Sequence, residues 1–415
     1  VLQRVAWLLY RYRGHLTSSQ VVLFSPNQLF NDYIDQVLPE LGEHNMVQMT
    51  YFQFANRRVP RLHVQTLAQR FEAHQDAVSQ NAQRLCTSLQ YFKATARYAK
   101  RLGHANMRFR NIMFNKKVFI SKEKIREIYY SFNNNYNLGN RLDGTKEELI
   151  KHNISAEGIT IYLYLYDLIT EKHGQRDIRY VFVDEVQDYD AYQLAYLKYR
   201  FPRAKFTLLG DLNQAIFTHE NSRSLLRQLS TMFDPEKTRV VQLTKSYRST
   251  KQITNFTKHI LENGEAIEAF NRDGELPQVI TAADFDGGVD ALVAALKKYQ
   301  GEHDAVAIIG KTFEDSEQLH RALERRNVKT TLIRTENQRL VKGAIIVPSF
   351  LAKGLEFDAV IVWNANDHQY QGDDERQLLY TICSRAMHAL TLTAVGRPTK
   401  LIAKVPADEY ELIKK

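Results

Sequence analysis

The chain has 415 residues, 44% of them hydrophobic and 25% charged, an ordinary globular balance that at roughly 100 to 200 residues per domain implies two or three domains. Lysine and arginine number 56 against 47 acids, a net charge of +9 that favours a polyanionic partner such as nucleic acid. Two cysteines, Cys86 and Cys383, exclude a disulfide framework or cysteine-built zinc cluster and suit a reducing cytoplasm, and no apolar run reaches the ~18 residues that span a membrane.

The opening VLQRVAWLLYRYR reads as a helix, because Leu2, Val5, Ala6, Leu8 and Leu9 recur at helical spacing. Its interrupting arginines and the lack of a small-residue cleavage site argue against a signal peptide. No initiating methionine precedes it, so the chain is expected to be a piece of a longer protein. QVVLF then predicts a buried strand, Ser25 to Asn27 a turn, and the stretch to Leu41 an amphipathic helix, the rhythm of a parallel α/β domain. Between about Leu62 and Tyr166 that rhythm gives way to long helical patterns. Within this segment, Lys93 to Arg126 carries eleven Lys or Arg against the single acid Glu123, which reads either as a contact surface or as a solvated face. Strand signals return with RYVFVDEVQD, KFTLLGDLNQ and TRVVQLTKSYRS. A second set follows in QVITA, AVAIIGKT, KTTLI, GAIIVPS, AVIVWNA and ALTLTAV, and the boundary between the two sets is expected near Ser249 to Thr254.

VAIIGKT, residues 306 to 312, ends like a phosphate-binding loop. Such a loop needs an early glycine so that consecutive N–H groups can curl around phosphates, and here that position is Ala305. Val306, Ala307, Ile308 and Ile309 between them predict a buried strand entering a turn.

YVFVDEVQD carries the strongest chemical signal. Asp184 and Glu185 follow an apolar strand, at the carboxyl end where open α/β sheets bind ligands. There an aspartate can hold magnesium and a glutamate can orient or deprotonate water, although an acidic pair after a strand is also a common helix cap. GDLNQAIF offers Asp211 and Gln214 after a second strand, LTKSYRST sets Tyr247 beside Arg248, PSFLAKGLEFD supplies Lys353, Gly354 and Glu356, and LLYTICSRAMHALTL places Arg385 where a helix meets a strand. Phosphoryl transfer needs a metal, a positioned water and cations around the γ-phosphate. An isolated arginine is more often a surface ion pair.

DEVQD, GDLNQ, SYRST, AKGLEF and SRA occur in the order found in UvrD/Rep-type superfamily 1 helicases, which the chain resembles over most of its length. The resemblance implies a P-loop NTPase fold of two RecA-like parallel-sheet motor domains with ATP and Mg2+ in the cleft between them. By the same resemblance Asp184 and Glu185 are the acidic metal and water pair, Gln214 senses the γ-phosphate, Tyr247 stacks near adenine, Arg248 and Arg385 contact the γ-phosphate, and Gly354 with Glu356 holds the ribose side of ATP. Ser25, Pro26 and Asn27 look like the motif beside single-stranded DNA, with Phe217 in the stacking position. The family's phosphate loop should precede the opening helix, so residues 1–415 alone are expected not to hydrolyse ATP.

Three departures bear on the substrate. About a hundred residues separate Arg248 from Lys353, too few for the large extra domain of unwinding helicases. Phe217 and His219 stand where the family has tyrosine and tryptophan, weakening base stacking worth ~1 to 3 kcal/mol per base. Pro348 and Phe350 replace polar groups before AKGLEF. These features look most like the HelD subfamily, which implies a cytoplasmic motor with RNA polymerase as partner. Conventional unwinding of single-stranded DNA stays open beside it, as does a binding module whose ATPase has decayed. The expected layout is a first motor domain in two parts (1–61 and 167–250), a helical basic insertion (62–166) and a second motor domain (251–415).

Overall fold

A computed structural model describes residues 2–26, 31, 46–58, 63–64, 69, 87–104, 153–154, 156–169, 174–211, 222–241, 245–262, 264, 267–335 and 343–415. The chain divides into two compact units, one of residues 1–25, 38–210 and 217–238, the other of 26–37, 211–216 and 239–415.

In the first unit, helix α1 (Leu2–Arg11) precedes β1 (Val21–Ser25), β2 (Val47–Thr50), α2 (Tyr51–Arg58), β3 (His63–Val64), α3 (Leu89–His104), β4 (Asn153–Ile154), α4 (Ala156–Ile169), β5 (Tyr180–Val183), α5 (Ala191–Arg200), β6 (Lys205–Leu208) and α6 (Ser222–Met232). Four strands form a parallel sheet in the order β2-β1-β5-β6. Every residue of β1 is buried, as expected of a parallel strand covered on both faces. The chain leaves β1 toward β2 on one side and returns at β5 on the other, so the sheet's switch point lies between the carboxyl ends of β1 and β5. Open α/β sheets bind ligands at that position.

The core of this unit is unusually aromatic, with Phe24, Tyr51, Phe54, Tyr91, Tyr164, Tyr192, Tyr196 and Phe201 in one buried cluster. Two helices of the segment that broke the α/β rhythm belong to it: Phe92 of α3 stacks on Tyr164 of α4 at 4.1 Å and 9°, and the Tyr192 hydroxyl donates to Thr95 Oγ1 at 3.1 Å. The segment's ends therefore build the first unit's core. Most of its basic run lies outside the described residues.

The second unit comprises β7 (Lys245–Ser246), α7 (Lys251–Lys258), β8 (Glu268–Ala269), β9 (Gln278–Ala282), α8 (Phe285–Gln300), β10 (Ala305–Gly310), α9 (Phe313–Arg325), β11 (Thr331–Leu332), β12 (Gly343–Pro348), β13 (Phe357–Val362), α10 (Asp373–Cys383), β14 (Ala386–Val395) and β15 (Glu411–Lys414). Its seven-stranded parallel sheet runs β11-β12-β10-β13-β14-β9-β15, over a core that includes Leu292, Leu296, Ile308, Leu319, Ile346, Ile361 and Trp363. All six strands expected here form. One strand signal fails at its start: Val240 and Val241 are 80% and 65% exposed and lie in no strand, and among the described residues of that stretch only Lys245–Ser246 pairs, with Glu268–Ala269. Branched apolar residues favour a strand only where a neighbouring strand and a core receive them. Among the described residues no helix is long and apolar enough to cross a membrane.

Candidate active site

Val183 ends β5, and the next residue, Asp184, donates its N–H to the Phe24 carbonyl of β1 at 3.0 Å. The acidic pair is thereby fixed at the switch point. Asp184 Oδ1 accepts the Glu185 N–H at 3.1 Å. Glu185 has φ 49° and ψ 47°, the left-handed region that side chains other than glycine enter at a cost and that recurs at functional sites. Its carboxylate accepts a 2.5 Å hydrogen bond from Gln187 Nε2, and Gln187 is itself buried. The glutamate is therefore strained in its backbone and anchored in its side chain.

The neighbouring loop completes the frame. Leu209 N–H donates to Val183 O at 2.9 Å, and Val186 N–H donates to Leu209 O at 2.8 Å. Gly210 comes so close that a Cβ there would lie 2.2 Å from Gln187 Oε1, so only glycine fits without displacing the amide that holds Glu185. Sequence reasoning missed both Gln187 and Gly210. The signal was present as the first glycine after the second strand, immediately before Asp211. Two half-buried carboxylates, Asp184 and Glu185, are the hard oxygen donors that Mg2+ accepts alongside waters and phosphate oxygens, so the residues fit that ion.

In the second unit three stretches predicted to act together are in direct contact. Ser249 Oγ donates to the Ala386 carbonyl at 2.6 Å, Thr250 N–H to Met387 O at 3.1 Å, and Phe357 N–H to Arg385 O at 3.0 Å. Arg248 and Glu356 form a 2.5 Å ion pair, with about 40% of each side chain exposed. Tyr247 is 63% exposed. Gly354 supplies the turn before Glu356 with φ 78°, which favours glycine, while Lys353 is buried.

Arg385, expected at the γ-phosphate, is 1% exposed. Its Nε donates to Thr381 O at 3.0 Å, its Nη1 to Leu355 O at 3.4 Å, and its Nη2 to Ser384 Oγ at 3.4 Å. In this arrangement it ties the end of α10 to the turn that carries Glu356. Ser25 is buried at the end of β1 and Pro26 is half-buried. Phe350 is also buried, within the apolar interior. Asn27, Gln214, Phe217 and His219 lie outside the described residues.

VAIIGKT is a strand entering a turn. Ala305–Gly310 is an inner strand of the seven-stranded sheet, between β12 and β13 and buried from Val306 onward, and Thr312 caps α9 by accepting the Asp315 N–H at 3.0 Å. Lys311 pairs with Glu375, donates to the Gln369 carbonyl, and lies 5.4 Å from the Tyr370 ring centroid. Burial raises the Glu375 carboxyl pKa, but the Lys311 hydrogen bond and the N–H groups of Gln371 and Gly372 outweigh it and hold the group below its ordinary value. The lysine is thus committed to an acid of its own unit.

The chain is similar to known helicase domains. Residues 44–234 match the UvrD/REP helicase N-terminal domain and residues 343–393 the UvrD-like helicase C-terminal domain. The ATP-dependent DNA helicase Rep of Escherichia coli K12 is 30% identical over 142 residues, which are 34% of this chain and 19% of that protein's length. A crystal structure of the C-terminal domain of a possible DNA helicase from Lactobacillus plantarum WCFS1 is 57% identical, covering 40% of this chain and 98% of that one, with a TM-score of 0.37. Dbp5 of S. cerevisiae, bound to RNA and ADP BeF3, is 11% identical over the whole chain and 82% of its own, with a TM-score of 0.47. On the two domain matches, which together span more than half its length, the chain carries the N-terminal and C-terminal domains of UvrD/Rep-type superfamily 1 helicases.

Proposed function

We propose that this chain belongs to an ATP-hydrolysing motor of the DNA helicase class. The observation that carries the reading is the Asp184–Glu185 pair at the switch point, with Glu185 held by Gln187. In this reading Asp184 holds Mg2+, which when bound neutralises charge on the phosphates. Glu185 orients the attacking water and takes its proton, Gln214 monitors the γ-phosphate, Arg248 and Arg385 stabilise charge developing there, and Tyr247, Gly354 and Glu356 hold the nucleoside end. Ser25, Pro26, Asn27 and Phe217 serve the nucleic-acid path. The first motor domain comprises 1–61 and 167–238, with 62–166 inserted in it and lending α3 and α4 to its core, and the second comprises 239–415 rather than starting at 251, since 239–250 belongs to the second compact unit.

The finer reading is a HelD-like remodeller of RNA polymerase. What supports it is the use of the chain between Arg248 and Lys353: the described elements from α7 to β12 all lie in one unit, with β9 to β12 in its seven-stranded sheet, and Phe350 is in its core. Conventional unwinding is the second reading, favoured by the similarity to Rep.

The test is ATP turnover by the full-length protein, alone, with single-stranded DNA and with RNA polymerase. Stimulation by polymerase but not DNA supports the remodeller, and stimulation by DNA alone supports the helicase. Glu185→Gln should retain ATP binding and lower kcat by about 10² to 10⁴, the usual contribution of a general base. Full turnover in that variant overturns the assignment.

A further inference from the structure

Tyr247 and Phe270 are both large, apolar and exposed, at 63% and 43%, and their rings meet at 4.9 Å and 43°. Burial does not explain where they sit; the backbone does. Ser246 pairs with Ala269 in the short β7–β8 ladder, and the Phe270 N–H donates to the Ser246 carbonyl at 3.2 Å. Two residues further on, Arg272 staples the loop down. Its Nη2 donates to the Arg248 carbonyl at 2.5 Å and to the Met387 carbonyl at 2.9 Å, while its own carbonyl accepts the Lys251 N–H at 2.8 Å. The loop bearing Phe270 is therefore attached to the segment bearing Tyr247 and Arg248 and to the strand that follows Arg385. Residues 268–272 lie outside both stretches matched to helicase domains.

A lone exposed tyrosine is free to change rotamer, whereas a second ring against its face restricts it. Arg248, the residue after Tyr247, forms the ion pair with Glu356, a cation and an anion both about 40% exposed. A flat aromatic base, ribose hydroxyls and an anionic tail are together complementary to two rings, a carboxylate and a guanidinium. We propose that Phe270 is a positioning residue for the nucleotide base, forming with Tyr247 a two-ring ledge on which a purine stacks. This rests on the reading of Tyr247, Arg248 and Glu356 as nucleotide contacts.

The test uses the full-length protein, with KM and kcat for ATP, binding of a fluorescent ATP analogue, and competition by inorganic tripolyphosphate, which has the charge but no base. Phe270→Ala should weaken ATP binding roughly 2- to 10-fold, the range for one aromatic pair. The loss should fall on KM rather than kcat, leave tripolyphosphate competition unchanged, and be reversed by Phe270→Tyr. If the alanine variant does not fold, Phe270→Leu, which keeps apolar bulk without a ring, reads the same split. Unchanged ATP binding, or equal weakening of ATP and tripolyphosphate, overturns the proposal. Arg248→Ala separates the two levels: full turnover in that variant refutes the nucleotide-site reading itself, whereas lost turnover with an indifferent Phe270→Ala refutes only the ledge.

Discussion

Two residues show how local packing decides what a motif means. Lys311 sits in a GKT triplet, yet it pairs with Glu375 inside its own unit. Lys311→Ala should leave ATP turnover unchanged while lowering stability by about 1 to 3 kcal/mol, because a half-buried carboxylate loses its partner. The Glu375 carboxyl is depressed in the fold, so its stabilisation is present above the ordinary carboxylate pKa of about 4.3 and is lost as pH falls through the folded value. The stability difference between the parent and Lys311→Ala, followed by urea unfolding, should therefore be full at pH 7 and shrink in acid. Gly210 works in the opposite way, unassigned by the sequence but tightly constrained in space. A Cβ 2.2 Å from Gln187 Oε1 must push the amide off Glu185, so Gly210→Ala should reduce kcat roughly 10- to 100-fold, as small misplacements of catalytic groups do. Normal kcat in that variant would show that the Gln187 hydrogen bond is dispensable.

At the level of elements, a buried polar triad joins the first unit's helices. Asp167 near the end of α4 is fully buried and pairs with Arg58 at the end of α2. Arg58 Nη1 donates to the Tyr196 hydroxyl of α5 at 2.7 Å, and that hydroxyl donates to Asp167 Oδ2 at 2.9 Å. Burial pushes the Tyr196 phenol far up, so it stays protonated and can make both contacts. Asp167→Asn leaves the Arg58 guanidinium without its counter-charge and should cost about 3 to 5 kcal/mol. Tyr196→Phe removes only a neutral partner and should cost about 1 to 3 kcal/mol. Urea midpoints rank the two, and equal losses would contradict a charge-based role for Asp167. Strands were legible at this scale because continuous apolar runs are what a doubly covered parallel sheet requires. The triad was not, since Arg58, Asp167 and Tyr196 stand 109 and 29 positions apart and nothing local marks them as partners.

For the whole molecule, the charge of +9 bears on association rather than fold. If single-stranded DNA is the working ligand, log K against log salt should fall with a slope of about −0.7 for each phosphate neutralised. Fluorescence titrations of the full-length protein at several salt concentrations measure this, and a flat dependence would remove DNA and leave a protein partner. The two units also show the limit of reading a chain in order. The stretch from Leu62 to Tyr166 reads in order as an insertion, and its described helices α3 and α4 place Tyr91 and Tyr164 in the first unit's core, because an aromatic helix is placed by the core that receives it.

Strand order along the chain, the acidic pair after β5 and the triplets around Arg248, Glu356 and Arg385 were all written in the sequence, because each depends on neighbouring residues and a regular period. Tertiary structure alone decided that the lysine of GKT pairs with Glu375, that Val240 and Val241 find no sheet, that Arg385 is turned toward two carbonyls and a hydroxyl, and that Gln187 and Gly210 frame Glu185. Each of those outcomes depends on which surfaces come within a few ångströms of each other across tens to hundreds of residues, where local propensity carries no information and close packing allows one arrangement.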